Sequence, residues 1–348
     1  MKIAFFSKCL PSDEPNGVSV QVHRLALALV KAGHEIDCYS FSPKPENASY
    51  KHYLLEFKSK DPVAKKFMPA LLFRKVEKGN YDIVHYHGDD YLSTGGKNRV
   101  RTFYGSALME ALHALSVKRF FYQLLFYSFE LISCMKRGAK VGISRNTCRT
   151  LPFVKRWIPC CVPLDTFRPG KFKTKYPTVL FVGTIDGRKR GRLVLDLFQR
   201  DILPKHPECQ LIVVGPQPCS GTNVVYKGRV SESELIELYQ SSWVYCLASS
   251  YEGFGVPAIE ALACGCAVVA VENWGTREVI RSGIDGILCS EKTLGLSVAK
   301  VISDDLLRSN LIGNGLSSAK NYCAAKIAAE YEDVYRMMVQ GLPHAGQS

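Results

Sequence analysis

Short apolar runs and amphipathic stretches alternate along the whole chain. KIAFF (2–6) reads as a strand and LPSDEPNG (10–17) as a turn-rich loop. A helix follows, because Val18, Val22, Leu25, Ala26, Leu29 and Val30 recur at a 3.6-residue period. Gly33 is placed to end it as a C-terminal cap, and EIDCYSF (35–41) returns as a strand. The alternation continues with a helical stretch near 61–78, strands DIVHYH (82–87) and VRTFY (100–104), a long helix near 106–136, and the strand KVGIS (140–144). Strands alternating with helices predict parallel sheets covered on both faces.

WIPCCVPLDTFRPGKFKTKYP (157–177) holds four prolines and no period, which predicts an interdomain linker. Beyond it TVLFVG (178–183), QLIVVG (210–215), VYCLAS (244–249) and AVVAV (267–271) are compact apolar runs separated by helical stretches. Ser231 with Glu234 predicts a capping box before LIELY (235–239). No repeat of 20–50 residues is visible. The expected architecture is α/β, with two doubly wound domains at 1–160 and 161–322 facing a central cleft. Residues 323–348 form a last helix packing back on the first domain.

Composition narrows this without changing it. The 348 residues are 47% hydrophobic and 22% charged, which excludes disorder, collagen and coiled coil. No apolar run reaches the ~18 residues that span a membrane. MKIAFFSKCL meets Ser7 and Lys8 too early for a signal-peptide core, so a soluble, cytoplasmic protein is expected. The 13 cysteines are scattered without a C-x-x-C pair, so free thiols are expected, with no metal site and no cofactor. The net charge of +13 is uneven. Residues 1–170 carry 26 Lys+Arg against 14 Asp+Glu, and residues 171–348 carry 19 against 18. No RNP, zinc-finger or basic-zipper pattern accompanies the basic half, which argues against nucleic acid as a partner.

The most informative segment is ASSYEGFGVPAIEALACGCAVVA (248–270). A strand ends at Leu247, a loop carries Glu252, Gly253, Phe254 and Gly255, and Pro257 sits where a helix begins. Free N–H groups at such a helix start attract anions, and small residues admit a phosphate closely. Glu252 and Glu260 can hydrogen-bond hydroxyls of one ligand. The blander reading makes the glycines a tight turn and Glu260 a solvated charge. The position after a parallel strand favours the ligand reading, because α/β sheets bind ligands at their carboxyl ends.

Glu252 to Glu260 resembles the E-x7-E motif of retaining glycosyltransferases of family 4, which have the GT-B architecture of two facing Rossmann-like domains. The resemblance runs along nearly the whole chain. NGVSVQVHRLALALVKAG (16–33) is similar to the family's glycine loop and first helix. YDIVHYH (81–87) resembles D-I/V-I/V-H-x-H, and KVGISRNT (140–147) resembles V-x-x-x-S-x-x-S/T. VLFVGTIDGRKRG (179–191), LIVVGP (211–216) and YKGRVSESELIELY (226–239) follow in order. NWGTREVIRSGIDGIL (273–288) resembles G-G-x-x-E-V/I-I/V-x-D/S-G-x-x-G-x-L.

The resemblance implies a metal-independent transfer from a nucleotide diphosphate sugar to a hydroxyl of a glycan or lipid-linked acceptor. The donor would lie mainly in the second domain and the acceptor in the first. Glu252 would hold the sugar hydroxyls and Glu260 the ribose. Backbone groups of Gly253, Phe254, Gly255 and Val256 would meet the sugar and diphosphate, and Gly228, Arg229 and Val230 the base. Gly17 would let the first domain's loop approach the phosphates. Lys189, with Arg188 or Arg190, would neutralise the leaving diphosphate, a charge-stabilising role.

Three positions depart from the family pattern. Thr184 stands where Arg often follows the strand-end glycine, Tyr104 stands for the His of T-x-H-G, and the linker reads Pro159-Cys160-Cys161-Val162-Pro163. Arg188–Arg190 can compensate the first departure. Tyr104 or His87 can compensate the second, although His87 reads equally well as a satisfied strand-end histidine. Asp89-Asp90 reads as a surface turn rather than a metal-binding Asp-x-Asp. A non-catalytic nucleotide-sugar-binding protein and a GT-B nucleotide-sugar epimerase stay open as alternatives.

KRFFYQLLFYSFELISCMKR (118–137) and KKFMPALLFRK (65–75) join aromatic and apolar residues to basic ends. Two readings stand for each. One is a core helix with solvated ends; the other is peripheral contact with an anionic membrane at its inner face.

Overall fold

In a computed structural model the described residues are 1–12, 16–57, 61, 64–94, 98–114 and 116–341. The middle of the loop expected at 10–17 and the start of the helical stretch expected from 61 lie outside them. The chain forms two compact units, one of Met1–Cys161 with the segment from Ala324 onward, the other of Val162–Cys323.

The first unit contains strands β1 (Lys2–Phe6), β2 (Glu35–Ser40), β3 (Lys51–Leu54), β4 (Ile83–Tyr86), β5 (Arg99–Phe103), β6 (Ala139–Gly142) and β7 (Arg156–Trp157). Its helices are α1 (Gly17–Lys31), α2 (Ala64–Lys75), α3 (Ala107–Leu112), α4 (Val117–Met135) and α5 (Arg145–Thr150). The strands pair in parallel in the order β3-β2-β1-β4-β5-β6-β7. Winding therefore reverses between β1 and β4, the switch point of a doubly wound sheet.

Alternation along β1 separates the two faces. Ile3 and Phe5 pack with Val22, Leu25 and Leu29 of α1, while Ala4 and Phe6 pack with Phe73 of α2 and Tyr86. Helix α1 begins with a capping box in which Asn16 and Ser19 bond each other's backbone N–H. It ends where Gly33 takes φ +88°.

The second unit contains β8 (Thr178–Val182), β9 (Gln210–Val214), β10 (Val224–Gly228), β11 (Val244–Leu247), β12 (Ala267–Val271) and β13 (Ile287–Cys289). Its helices are α6 (Gly191–Leu197), α7 (Glu232–Ser241), α8 (Val256–Ala263), α9 (Trp274–Val279), α10 (Leu294–Ser303) and α11 (Asp305–Ala319). The parallel order β10-β9-β8-β11-β12-β13 repeats the first sheet's winding, with its reversal between β8 and β11.

The last helix, α12 (Ala324–Gln340), belongs to the first unit. Ile327, Ala328, Tyr331, Val334 and Tyr335 enter its core. Tyr335 Oη lies 2.7 Å from His85 Nδ1, and Tyr331 Oη lies 2.9 Å from Thr102 Oγ1. His85 Nε2 lies 2.8 Å from Thr102 Oγ1, so the two phenols complete a buried polar chain through the sheet.

Several local expectations change. The stretch expected as a long helix near 106–136 is two helices, because Ser116 caps a new start at α4. The boundary between the units, Cys161–Val162, falls within the linker expected at 157–177, and parts of that segment are packed. Trp157 ends β7, Phe167 is buried, and Trp243 Nε1 donates to Thr174 O at 2.9 Å. Ser231 caps α7 by accepting from Glu234 N, without the reciprocal bond of a capping box. Helix α8 begins at Val256, one residue before Pro257.

The core reading of 118–137 also fails. Of the residues in α4 only Ser133 and Cys134 are buried, and Val117, Phe121, Leu125, Ile132 and Met135 are exposed. At 100° per residue these five fall within about 80° of one helix face. Stretch 65–75 does enter the core through Ala70 and Phe73, despite Pro69 inside the helix. Among the described residues no helix is long and apolar enough to cross a membrane.

Candidate functional site

The switch point of the second sheet brings together the loop after β8 and the loop after β11. Lys189 Nζ lies 2.7 Å from Glu252 Oε1, and Arg188 Nη1 lies 3.1 Å from Glu252 Oε2. Arg188 also donates to Tyr251 O, and Ser250 N donates to Arg188 O at 3.0 Å. The Glu252 side chain is 8% exposed, against 36% for Arg188 and 20% for Lys189. Burial opposes its charge, but Lys189 and Arg188 prevail and bring its carboxyl down to about 2. Glu252 is therefore an anion whose two cations stand nearer to solvent than it does.

Arg190 goes elsewhere. It takes a left-handed conformation at the start of α6, its Nε donates to Ala248 O at 2.9 Å, and its guanidinium pairs with Glu291. The three adjacent basic residues thus separate into two on Glu252 and one bracing the end of β11.

The Glu252 loop is held from behind by α9. Asn273 caps that helix and donates through Nδ2 to Ser249 O at 3.0 Å. At Gly275 a Cβ would fall 2.3 Å from Glu252 O and 2.6 Å from Glu252 Cβ, so only glycine allows this approach. Neither supporting residue was identified from the sequence, although both lie within the quoted segment 273–288.

Gly253 is half-buried and Phe254 buried, its ring against Tyr322. Gly255 takes φ +99° at the entry to α8, where Val256 is the first helical residue. Glu260 is not a solvated charge: it is 7% exposed, and Tyr239 Oη lies 3.5 Å from its Oε2. Thr184 is half-buried after β8, and its carbonyl accepts from Gly191 N. Gly228 takes φ +70° and accepts from Gly215 N, followed by exposed Arg229 and half-buried Val230.

In the first unit Gly17 is the exposed first residue of α1, and a Cβ there would meet nothing within 4 Å. His87 Nδ1 lies 2.9 Å from Tyr104 Oη. The His87 ring is buried against Phe5 and His85, and burial, His85 and Arg101 push its pKa well below the usual range. Burial raises Tyr104 well above the usual phenol range, so both groups are neutral.

Asp89-Asp90 is not a surface turn. Asp90 is fully buried, pairs with Arg99, lies 3.0 Å from Arg101 Nε, and accepts from Ser133 Oγ at 2.8 Å. Asp89 takes φ +53°, and burial raises its pKa. The isolated apolar strand pattern did not show that β5 carries Arg99 and Arg101 into the interior to meet this loop.

Residues 15–141 match the model of Glycosyltransferase Family 4, and residues 165–317 match that of Glycosyl transferases group 1. The phosphatidyl-myo-inositol mannosyltransferase of Mycobacterium tuberculosis is 24% identical over 364 residues, covering 93% of each chain. Among solved structures, sucrose-phosphate synthase from Thermosynechococcus elongatus matches with TM-score 0.79 and 20% identity, covering 98% of this chain and 99% of that one. The Anabaena protein HepE, solved with UDP and glucose, matches with TM-score 0.75 and 13% identity over 97% and 99%.

Proposed function

The chain belongs to the group 1, family 4 glycosyltransferases, and from that premise we propose a retaining, metal-independent hexosyl transfer. The donor is a nucleotide diphosphate sugar, and the acceptor is a hydroxyl of a glycan or lipid-linked molecule. The observation that carries this reading is Glu252 held between Lys189 and Arg188 at the switch point of the second sheet. A diphosphate competes for these two cations, and the released carboxylate is an acceptor for sugar hydroxyls.

The bond from the sugar's anomeric carbon to the phosphate oxygen breaks, and its electron pair stays on that oxygen. Lys189 and Arg188 stabilise the growing charge. The acceptor hydroxyl forms its new bond on the same face, and its proton passes to the leaving phosphate. No protein nucleophile is needed. Glu260, Gly255 and Val256 take part in holding the donor, and the half-buried Tyr104 with His87 supplies neutral hydrogen-bonding groups in the first unit.

We also infer that α4 rests on an anionic lipid surface. Its exposed stripe of Val117, Phe121, Leu125, Ile132 and Met135 is accompanied by exposed Lys118, Arg119 and Arg137. The named mannosyltransferase relative, with its phosphatidyl-myo-inositol acceptor, supports a lipid surface as partner. Sedimentation with phosphatidylglycerol vesicles tests this: salt-sensitive binding that Phe121→Ser with Leu125→Ser abolishes is expected, and binding to neutral vesicles alone overturns it.

For the transfer itself, the protein is incubated with UDP-glucose, UDP-N-acetylglucosamine or GDP-mannose and phosphatidylinositol vesicles. Release of nucleoside diphosphate coupled to glycolipid, lost in Glu252→Ala, is expected. Isomerised sugar instead would identify an epimerase, and binding without turnover a binding protein.

A further inference from the structure

We propose that Trp274 is the sugar-discriminating residue of the donor site, its indole covering the apolar C–H face of the donor's pyranose ring. This rests on the donor site placed around Glu252 above. The first glycine position of the quoted G-G-x-x-E pattern is Trp274 here, and the second is Gly275.

Both neighbours of Trp274 are locked to the Glu252 loop. On one side Asn273 Nδ2 donates to Ser249 O at 3.0 Å. On the other, Gly275 lies so close that a Cβ would come within 2.3 Å of Glu252 O. Asn273 also accepts from Gly275 N at 3.0 Å and Thr276 N at 3.1 Å, which fixes the first turn of α9. The backbone of Trp274 therefore has no freedom to move away from Glu252.

Trp274 nevertheless remains 44% exposed, while Ser249, Tyr251 and Glu252 of that loop and the following Gly275 and Thr276 are buried. An exposed indole carried on a backbone held against the Glu252 loop, together with that loop's buried carboxylate, matches the two kinds of surface on a pyranose. The hydroxyl rim suits a carboxylate acceptor, and the C–H face suits an aromatic plane. A residue covering one ring face senses axial substituents on that face, which is how hexoses differ. On this reading the nucleoside diphosphate makes no contact with the indole.

The test measures binding of UDP-glucose, UDP-N-acetylglucosamine, GDP-mannose, UDP and GDP by calorimetry, for wild type, Trp274→Ala and Trp274→Phe. Tryptophan fluorescence is followed in parallel, and melting temperature reports folding. The expected result is a roughly three- to tenfold loss for the preferred sugar nucleotide in Trp274→Ala. The matching nucleoside diphosphate stays within twofold, Trp274→Phe recovers most of the loss, and preference among the three sugars narrows. Equal weakening of sugar nucleotide and nucleoside diphosphate, or none, overturns the proposal; Trp274→Phe decides it if the alanine variant does not fold. Should wild type bind the diphosphates but no sugar nucleotide, the donor-site reading itself fails, and this inference with it.

Discussion

Asp90 and Glu252 occupy comparable places in two sheets wound the same way. Asp90 follows the end of β4 and Glu252 the end of β11, each on the strand after the reversal, and each has two cations beside it. The difference lies in where the cations come from. Arg99 and Arg101 belong to the adjoining strand β5, with side chains 5% and 9% exposed, so Asp90 is enclosed with them. Lys189 and Arg188 reach Glu252 from the loop across the switch point and stay 20% and 36% exposed. One cluster is closed and ties Ser133 of α4 to the sheet. The other is open on its cationic side, where an anion can compete. Two cations enclosed with a carboxylate make an anchor, whereas two that stay part-exposed leave room for a competing anion.

The largest effect is expected from Asp90→Ala. It leaves two arginines buried without their anion, at a cost of about 3–5 kcal/mol. Chemical denaturation reads it directly, and a loss below about 1 kcal/mol would erase the distinction between the clusters.

Glu252→Ala should instead cost less stability than Asp90→Ala, because its two part-exposed cations can turn to solvent, and lower turnover about 10²–10³-fold. Nucleoside diphosphate release measures this. A variant that unfolds while retaining specific activity would make Glu252 an anchor like Asp90.

A narrower comparison separates the basic triplet. Lys189→Ala is expected to lower turnover about 10²-fold. Arg190→Ala, whose guanidinium holds Ala248 O and Glu291, should cost less than about tenfold and act partly through stability. Equal effects would put Arg190 on the leaving group as well.

The smallest effect separates two glutamates by pH. Glu130 of α4 accepts from Ala107 N at 2.9 Å, and burial pushes its carboxyl up to about 7 against the opposing influence of that bond and Arg101. The folded state thus holds a proton that the unfolded carboxyl releases near ~4.3. Its contribution to stability is complete below that value and is lost as pH rises through about 7. Glu252 behaves oppositely: its contribution is present above ~4.3 and is lost as pH falls toward about 2. Melting temperatures of Glu130→Gln between pH 4 and 8 should show a shallower decline than wild type. An unchanged slope would place the titration elsewhere.

Most of the strand–helix alternation and the segment around Glu252 were legible because they rest on local rules. Period-2 and period-3.6 patterns, capping residues and the glycines beside Glu252 act over a few residues. The long helix expected near 106–136 escaped those rules, since its apolar content hid the new start at Ser116. Its aromatic residues also implied burial as readily as exposure, because composition does not say whether a partner element covers a face.

What the sequence by itself determined was the order of most elements, a glycine loop flanked by Glu252 and Glu260, and the family they resemble. Only the tertiary structure decided which charges meet. Lys189 and Glu252 are 63 residues apart, as are Arg188 and Tyr251 O on the same two loops. His85 and Tyr335 are 250 apart, and α12 joins the first unit through that contact. Such pairs depend on sheet order and on the direction a side chain leaves its loop, which no local period encodes. The same basic triplet therefore reads as one motif along the chain and divides, once folded, into two cations on Glu252 and a brace.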